Sequence, residues 1–442
     1  MPALVPKLRF PEFRGAEGWT QIPMGEVYSF KGNNSLSRDK LNYVAGSVKN
    51  IHYGDIHAKF ACHFDITKEL VPFINESEEG IVRDGNLCAA GDMVFADASE
   101  DMADIGKSIE IVRLSGESVV SGLHTILARP TGVRVALGFG GHLFKSGWVR
   151  TQIQKEAQGA KVLGISANRM RNLRLPLPLS ITEQQKIADC LSSVDELIAA
   201  QARKVDVLKT HKKGLIQQLF PREGETQPRL RFPEFQNAGE WKVMPLGELV
   251  ELQSGFAFSS SYFGSDGTKL VTPKNFTKHG HGNFEETVSK YTTEEVPQRF
   301  ICSPGDLLVL LTDLTPTCEL LGKPLLLQDK DGSVLLNQRV ARVEPCASKL
   351  ESLFLKYVFL SGSYGNLIIK TATGSTVKHS SNKVLQEIPL FHPALSEQQR
   401  IATCLSSLDT LITAEAQKHE ALKTHKKGLM QQLFPSHEEV DP

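Results

Sequence analysis

Residues 183–221 read EQQKIADCLSSVDELIAAQARKVDVLKTHKKGLIQQLFP, and residues 397–435 read EQQRIATCLSSLDTLITAEAQKHEALKTHKKGLMQQLFP. Of the 39 aligned positions 28 are identical, with no gap, so one structure is specified twice. Proline is absent until the last position, and the only glycines are Gly214 and Gly428. Each copy can therefore run as one helix. Steps of four and three from Ile187 reach Leu191, Val194, Ile198, Gln201, Val205, Leu208, Lys212, Leu215 and Leu219. The second copy gives Ile401, Leu405, Leu408, Ile412, Glu415, His419, Leu422, Lys426, Leu429 and Leu433. This 3.5-residue period predicts a coiled-coil seam, and the obvious mate for one rod is the other. Each rod is about 58 Å long. Thr182 with Gln185, and Ser396 with Gln399, fit capping boxes, and Pro221 and Pro435 stop the helices. The polar seam positions Gln201, Lys212, Glu415 and Lys426 weaken a simple zipper, and they either fix register or face a partner.

Working outward, the chain start is duplicated as well. Residues 7–13 read KLRFPEF and residues 229–235 read RLRFPEF. Trp19 matches Trp241, and Met24-Gly25-Glu26 matches Leu246-Gly247-Glu248. The offset is 222 here and 214 in the rods, so the regions between differ by eight residues. The layout is a variable region (1–180), a rod (181–221), a second variable region (222–394), a second rod (395–435) and a short tail (436–442). Between the repeated blocks one local match survives, Gln158-Gly159-Ala160-Lys161-Val162 against Thr373-Gly374-Ser375-Thr376-Val377. A constant frame around divergent inserts makes the same contacts twice, while the inserts share an architecture and differ in what they touch. The inserts read as mixed α/β. Strands are expected at Ser108 to Leu114, Gly132 to Leu137, Leu307 to Leu311 and Val340 to Val343, and a helix at Leu353 to Leu360.

The 442 residues suffice for two or three domains, and 40% hydrophobic with 23% charged residues is ordinary for a water-soluble chain. The N-terminus has no apolar signal core, and no run of 18 apolar residues occurs. These readings predict a cytoplasmic protein with no membrane contact. Seven scattered cysteines without a CxxC pair read as reduced thiols. The formal net charge is zero, which argues against a histone-like nonspecific binder. Charge is segregated locally, however. Residues 141–175 hold seven Lys/Arg against Glu156 alone, and residues 64–104 hold eleven Asp/Glu against Lys68 and Arg83. This pattern predicts one surface for an anionic ligand and a separate acidic face.

The search for catalytic motifs returns near misses. Ile105-Gly106-Lys107-Ser108 resembles the end of a phosphate-binding loop, but the required earlier glycine is Asp101. Gly138-Phe139-Gly140 opens like a dinucleotide fingerprint whose third glycine would fall at Leu143. No GxSxG or HExxH occurs, nor any amino-methyltransferase Asn-Pro-Pro-Tyr or Asp-Pro-Pro-Tyr box. His52, His57, Cys62 and His63 match no zinc spacing and read as scattered loop and core residues. No catalytic residue and no metal ligand is assigned.

Polar, basic loops on the rigid frame carry the better signal. Glycines let backbone N–H groups approach phosphates, while Arg, Lys, Asn and Gln read base edges. The candidate contacts are Lys31, Asn33, Asn34, Lys49, Tyr53, Lys155, Gln158, Lys161 and Arg169 in the first insert. In the second they are Lys274, Asn275, Lys278, Ser375, Thr376, Lys378, His379 and Lys383.

Taken together, the duplicated LRFPEF…W words and the EQQ…KTHKKGL…QQLFP rods resemble the specificity subunit of type I restriction-modification enzymes. The stretches 47–57 and 97–107 also look like insert motifs of that family. The resemblance implies an α/β (α+β) fold with two target recognition domains, separated by two long helices that pair as an antiparallel coiled coil with pseudo-twofold symmetry. It implies double-stranded DNA as ligand, each domain reading half of a split, asymmetric site, with a spacer fixed by rods of equal length. It also implies partners, namely two modification subunits carrying S-adenosylmethionine and restriction subunits using ATP and Mg. No cofactor is expected in this chain. The alternative is a coiled-coil scaffold whose inserts bind proteins. A second alternative is a single-chain methyltransferase with unfamiliar motifs.

Overall fold

A computed structural model of the chain describes residues 4–131, 135–313, 315, 318–374 and 377–436. It divides into two compact units, Met1–Ala202 with Gln417–Pro442, and Arg203–Ala416. Each unit holds one insert, the start of the rod that follows it, and the end of the other rod. The rods are the helices Ile181–Leu219 and Leu395–Leu433. Both begin before the expected capping boxes, so Thr182 and Ser396 already lie inside the helices. In the first rod Ser180 takes the cap role instead, its Oγ accepting from the Glu183 N–H at 3.3 Å.

In unit 1 the start of the first rod (Ile187, Leu191) shares a core with the end of the second (Leu433, Phe434). In unit 2 Ile401 and Leu405 share a core with Leu219 and Phe220. Start therefore meets end in both units, which is antiparallel pairing. None of the twenty seam positions is exposed. The seam lysines find carboxylates one residue off the seam. Lys426 Nζ lies 2.6 and 2.5 Å from the Asp195 oxygens, and Lys212 pairs with Asp409. A shifted register would strand these ammonium groups; for the largely buried Lys212–Asp409 pair that costs about 3–5 kcal/mol. This is how the polar seam fixes register.

The repeated frame words meet on these rods. Arg9 donates from Nε and Nη2 to the Glu183 carboxylate, both at 2.7 Å, and also to the Ala16 and Glu17 carbonyls. Trp19 Nε1 donates to the same carboxylate at 3.2 Å. In unit 2 Arg231 donates to Glu397 at 2.9 and 2.5 Å, with Trp241 Nε1 at 3.4 Å. The next residue in each rod reaches the insert. Gln184 accepts from Ala136 N at 2.9 Å, and Gln398 from Glu351 N at 3.0 Å. So the arginine and tryptophan of one word and the Glu-Gln of the other form one buried hydrogen-bonded joint, used twice.

Each insert builds the same set of sheets. In unit 1, Thr20–Pro23 pairs antiparallel with Arg174–Leu177. A five-stranded sheet runs in the order Tyr28–Lys31, Thr125–Pro130, Met93–Ala96, Ser108–Arg113, His63–Asp65, and a four-stranded sheet runs Ser118–Ser121, Val48–Ile51, Phe73–Ile74, Leu41–Asn42. In unit 2, Lys242–Pro245 pairs with Pro389–His392. There the four-stranded sheet is Val250–Ser254, Val340–Pro345, Leu307–Leu310, Pro324–Leu326. The five-stranded one is Phe263–Gly264, Lys290–Thr292, Thr268–Val271, Val334–Leu336, Ile301–Cys302.

Strand period explains the packing. Leu307, Val309 and Leu311 enter the core that holds the rods, and Leu308 and Leu310 enter a second core. Met93 and Phe95 divide from Val94 and Ala96 in the same way. A strand buried on both faces reads as a continuous apolar run. Three expected strands are present. The fourth, at 132–137, is not seen at 135–137, where Ala136 spends its N–H on rod residue Gln184 instead of a sheet neighbour. Residues 132–134 lie outside the described residues. The expected helix is Ser352–Leu360. Among the described residues no helix is long and apolar enough to cross a membrane.

Candidate nucleic-acid interface

The short match between the inserts is a matched loop. In unit 1, Gln158 and Gly164 exchange backbone hydrogen bonds of 2.9 and 2.7 Å, closing residues 158–164 on themselves. Gly159 sits at φ +127°, and a Cβ there would lie 2.0 Å from the Val162 carbonyl oxygen, so only glycine fits. In unit 2, Thr373 and His379 exchange bonds of 3.0 and 2.9 Å. Gly374 sits at φ +101°, 2.1 Å from the Val377 oxygen by the same construction. Each loop also pairs with a short strand of its insert. Leu163–Gly164 lies against Ala98–Ser99, and Lys378–His379 against Thr312–Asp313. The closing bonds, the positive-φ glycine and the strand pairing are thus repeated, while the sequence that follows the glycine differs, Ala160-Lys161 in one insert and Ser375-Thr376 in the other. Ala160 and Lys161 are exposed. The candidates Ser375 and Thr376 lie outside the described residues.

In unit 1 several loops converge beside this one. His124, at φ +54°, lies 3.2 Å from Asp97 Oδ1 through Nδ1. Tyr53 packs edge-on against His124 (5.3 Å) and His57 (6.2 Å). His57 Nε2 donates to the Ala98 carbonyl at 3.0 Å, and Lys107 Nζ donates to the His57 carbonyl at 2.8 Å. Asp97, His124, Gln158 and Arg169 share a shallow recess. Burial raises the Asp97 carboxyl above the usual range, against the opposing pull of His124.

The candidate residues separate by role. Lys155, Gln158 and Lys161 are exposed, and Tyr53 and Lys31 are half-buried. Asn33 and Asn34 have their amides committed elsewhere. Asn33 Nδ2 donates to the Gly122 and Thr125 carbonyls (3.3 and 2.7 Å), and Asn34 Nδ2 donates to Asn50 Oδ1 and the Ser121 carbonyl (2.7 and 3.2 Å). They hold the turn that carries His124. Lys49 pairs with Glu117 at 2.5 Å and lies over the Phe73 ring. Arg169 Nη1 donates to the Glu156 carboxylate at 3.0 Å.

Unit 2 gathers fewer of its candidates. Asn275 is fully buried; it accepts from Thr272 N (2.7 Å) and donates to the Asn283 carbonyl (2.8 Å). It is the cap of its own turn and has no free edge for a base. Lys274 is exposed, and Lys278 is exposed and paired with Glu319. Their loop passes close to Lys356 and Leu360 of the Ser352–Leu360 helix at Gly280. His379 Nδ1 meets Thr312 Oγ1 at 3.0 Å. Lys383 is exposed on the helix Asn382–Glu387, whose Asn382 donates to Ser254 Oγ at 2.9 Å.

The acidic and basic stretches meet at one point. Arg150 Nη2 donates to the Ala103 and Ile105 carbonyls (2.9 and 2.7 Å), and Gln154 to the Met102 carbonyl. The helix Gly147–Glu156 thus holds the backbone at the end of the acidic stretch. Sequence reading missed His124, since a positive φ at a non-glycine residue leaves no local mark.

Residues 238–424 match the family model described as the type I restriction modification DNA specificity domain. The type I restriction enzyme MjaVIII specificity subunit of Methanocaldococcus jannaschii is 29% identical over 287 residues, 64% of this chain and 66% of that protein. The type I restriction enzyme EcoBI specificity subunit of Escherichia coli is 31% identical over 174 residues, 39% of this chain and 32% of that protein. The chain thus spans less than two thirds of either relative. The crystal structure of the type I restriction-modification system S subunit from M. genitalium matches with a TM-score of 0.55 over 98% of this chain and 100% of that one, at 14% identity. At that identity the likeness is one of fold. The resemblance read from the duplicated words is borne out, and so is the mixed α/β class with its long helices.

Proposed function

We propose that this chain, with a type I restriction modification DNA specificity domain over residues 238–424, is the non-catalytic DNA-recognition subunit of such a system in the cytoplasm. Each insert reads one half of a bipartite, asymmetric site in double-stranded DNA. The rods and frame dock two modification subunits, and restriction subunits join that assembly. Methyl transfer from S-adenosylmethionine to a flipped-out adenine belongs to the modification partner. Translocation and cleavage with ATP and Mg belong to the restriction partner.

One observation carries this reading: the glycine loop closed by the same backbone bonds in both units encloses a different sequence in each. A repeated closure around a varied sequence suits two different half-sites. In unit 1 the loop joins Tyr53, His124, Gln158 and Lys161, which supply an aromatic ring, hydrogen-bonding edges and a phosphate-binding ammonium. The test is a modified-base map of DNA from cells expressing the chain with its modification partner, against cells lacking the chain. A split adenine-methylation motif that appears only with the chain supports the reading. No new motif, with the partner expressed and bound, refutes it.

A further inference from the structure

Unit 1 brings together three side chains that no local spacing connects. His63 lies on the edge strand His63–Asp65, His142 on the helix Phe139–Leu143, and Asp195 on the first rod. One ligand-capable atom of each lies within 4.8 Å of the other two. The imidazoles meet edge to face with centroids 4.5 Å apart.

Each ring has one nitrogen in a hydrogen bond. His63 Nε2 lies 2.8 Å from the Gly138 carbonyl. A carbonyl only accepts, so Nε2 carries the proton and Nδ1 the lone pair. His142 Nε2 lies 3.3 Å from Ser192 Oγ, while its Nδ1 is buried without a partner. His142 is wholly buried. An orphaned ring nitrogen inside a core is costly unless something binds it. A second hydrogen bond on the far nitrogen of each ring is also the usual setting of metal-bound imidazoles.

Unit 2 shows the same place built another way. Asp409, 214 residues after Asp195, accepts from Tyr357 Oη (2.8 Å) and Lys356 Nζ (3.4 Å), pairs with Lys212, and has His281 Nε2 at 3.7 Å. Protein groups alone satisfy that carboxylate. In unit 1 the insert offers two imidazoles instead, with Lys426 on the Asp195 oxygens and Lys145 and Cys62 nearby. The two ammonium groups weaken cation binding, but a carboxylate has lone pairs for both a lysine and a metal.

We propose that His63, His142 and Asp195 form a site for a divalent transition-metal ion, zinc by its two-imidazole, one-carboxylate set, that staples the first insert to its rod. A fourth position is left for water. Closing tetrahedral bonds of about 2.0–2.2 Å requires the three side chains to draw together slightly. The second insert has no such dependence.

The test uses the untagged full chain, stripped with a chelator and titrated with Co²⁺. The expected result is one equivalent giving the visible bands of tetrahedral cobalt, displaced by Zn²⁺. His63→Gln and Asp195→Ala, neither at the wholly buried position, should each weaken cobalt by about tenfold or more. His281→Gln in unit 2 should leave the titration unchanged. Circular dichroism in chelator controls for folding. Absence of the bands in the wild-type chain, or their survival in both unit 1 variants, overturns the site.

Discussion

Replacing Phe434 with alanine should loosen the insert at the opposite end of the sequence. Phe434 is 2% exposed. Its ring meets Trp19 at 5.9 Å edge to face and Phe139 at 5.7 Å. Truncating a buried phenylalanine costs about 3–5 kcal/mol. If that cost falls on unit 1, amides that exchange by opening of this unit should exchange roughly two to three and a half decades faster. Hydrogen exchange read by mass spectrometry separates the units. Phe434→Ala should expose the ribbon Thr20–Pro23 with Arg174–Leu177 and spare the ribbon Lys242–Pro245 with Pro389–His392. Phe220→Ala should do the reverse, because Phe220 packs on Trp241 and Phe354. If Phe434→Ala loosens the second ribbon as much as the first, or loosens neither, the crosswise completion of each insert by the other rod's end is wrong.

Lys155→Ala with Lys161→Ala should weaken DNA binding and flatten the slope of log affinity against log salt by about 0.9 for each phosphate no longer neutralised; an unchanged slope in salt titrations would move these lysines off the backbone. Gly159→Ala should abolish specific binding by unit 1 while circular dichroism stays native, since a Cβ there meets the Val162 oxygen at 2.0 Å; retained half-site specificity would refute the loop's role. Asp409 is held well below the usual carboxylate range: burial opposes ionisation, but His281, Lys212 and Lys356 outweigh it. A depressed carboxylate lends stability above its unfolded pKa of about 4 and loses it as pH falls further. Unit 2 should therefore weaken in acid. Asp409→Asn should cost about 3–5 kcal/mol at neutral pH by stranding the lysines and should flatten the acid limb in denaturation curves.

Taken alone, the sequence determined the rods, their seam and the repeated frame, because a helical period and a duplicated word are local signals. It also pointed to the loop pair 158–162 and 373–377, because glycines at strained φ angles survive where other residues diverge. It could not say which of two identical Leu-Phe-Pro ends meets which tryptophan; antiparallel pairing decided that through contacts more than 400 residues apart in sequence for Trp19 and Phe434. Nor could it tell Asn275, Asn33 and Asn34 from ligand contacts. An asparagine in a polar loop looks the same whether its amide faces water or clamps a turn. His63, His142 and Asp195 come from a strand, a helix and a rod, so their meeting was written only in the packing of those three elements.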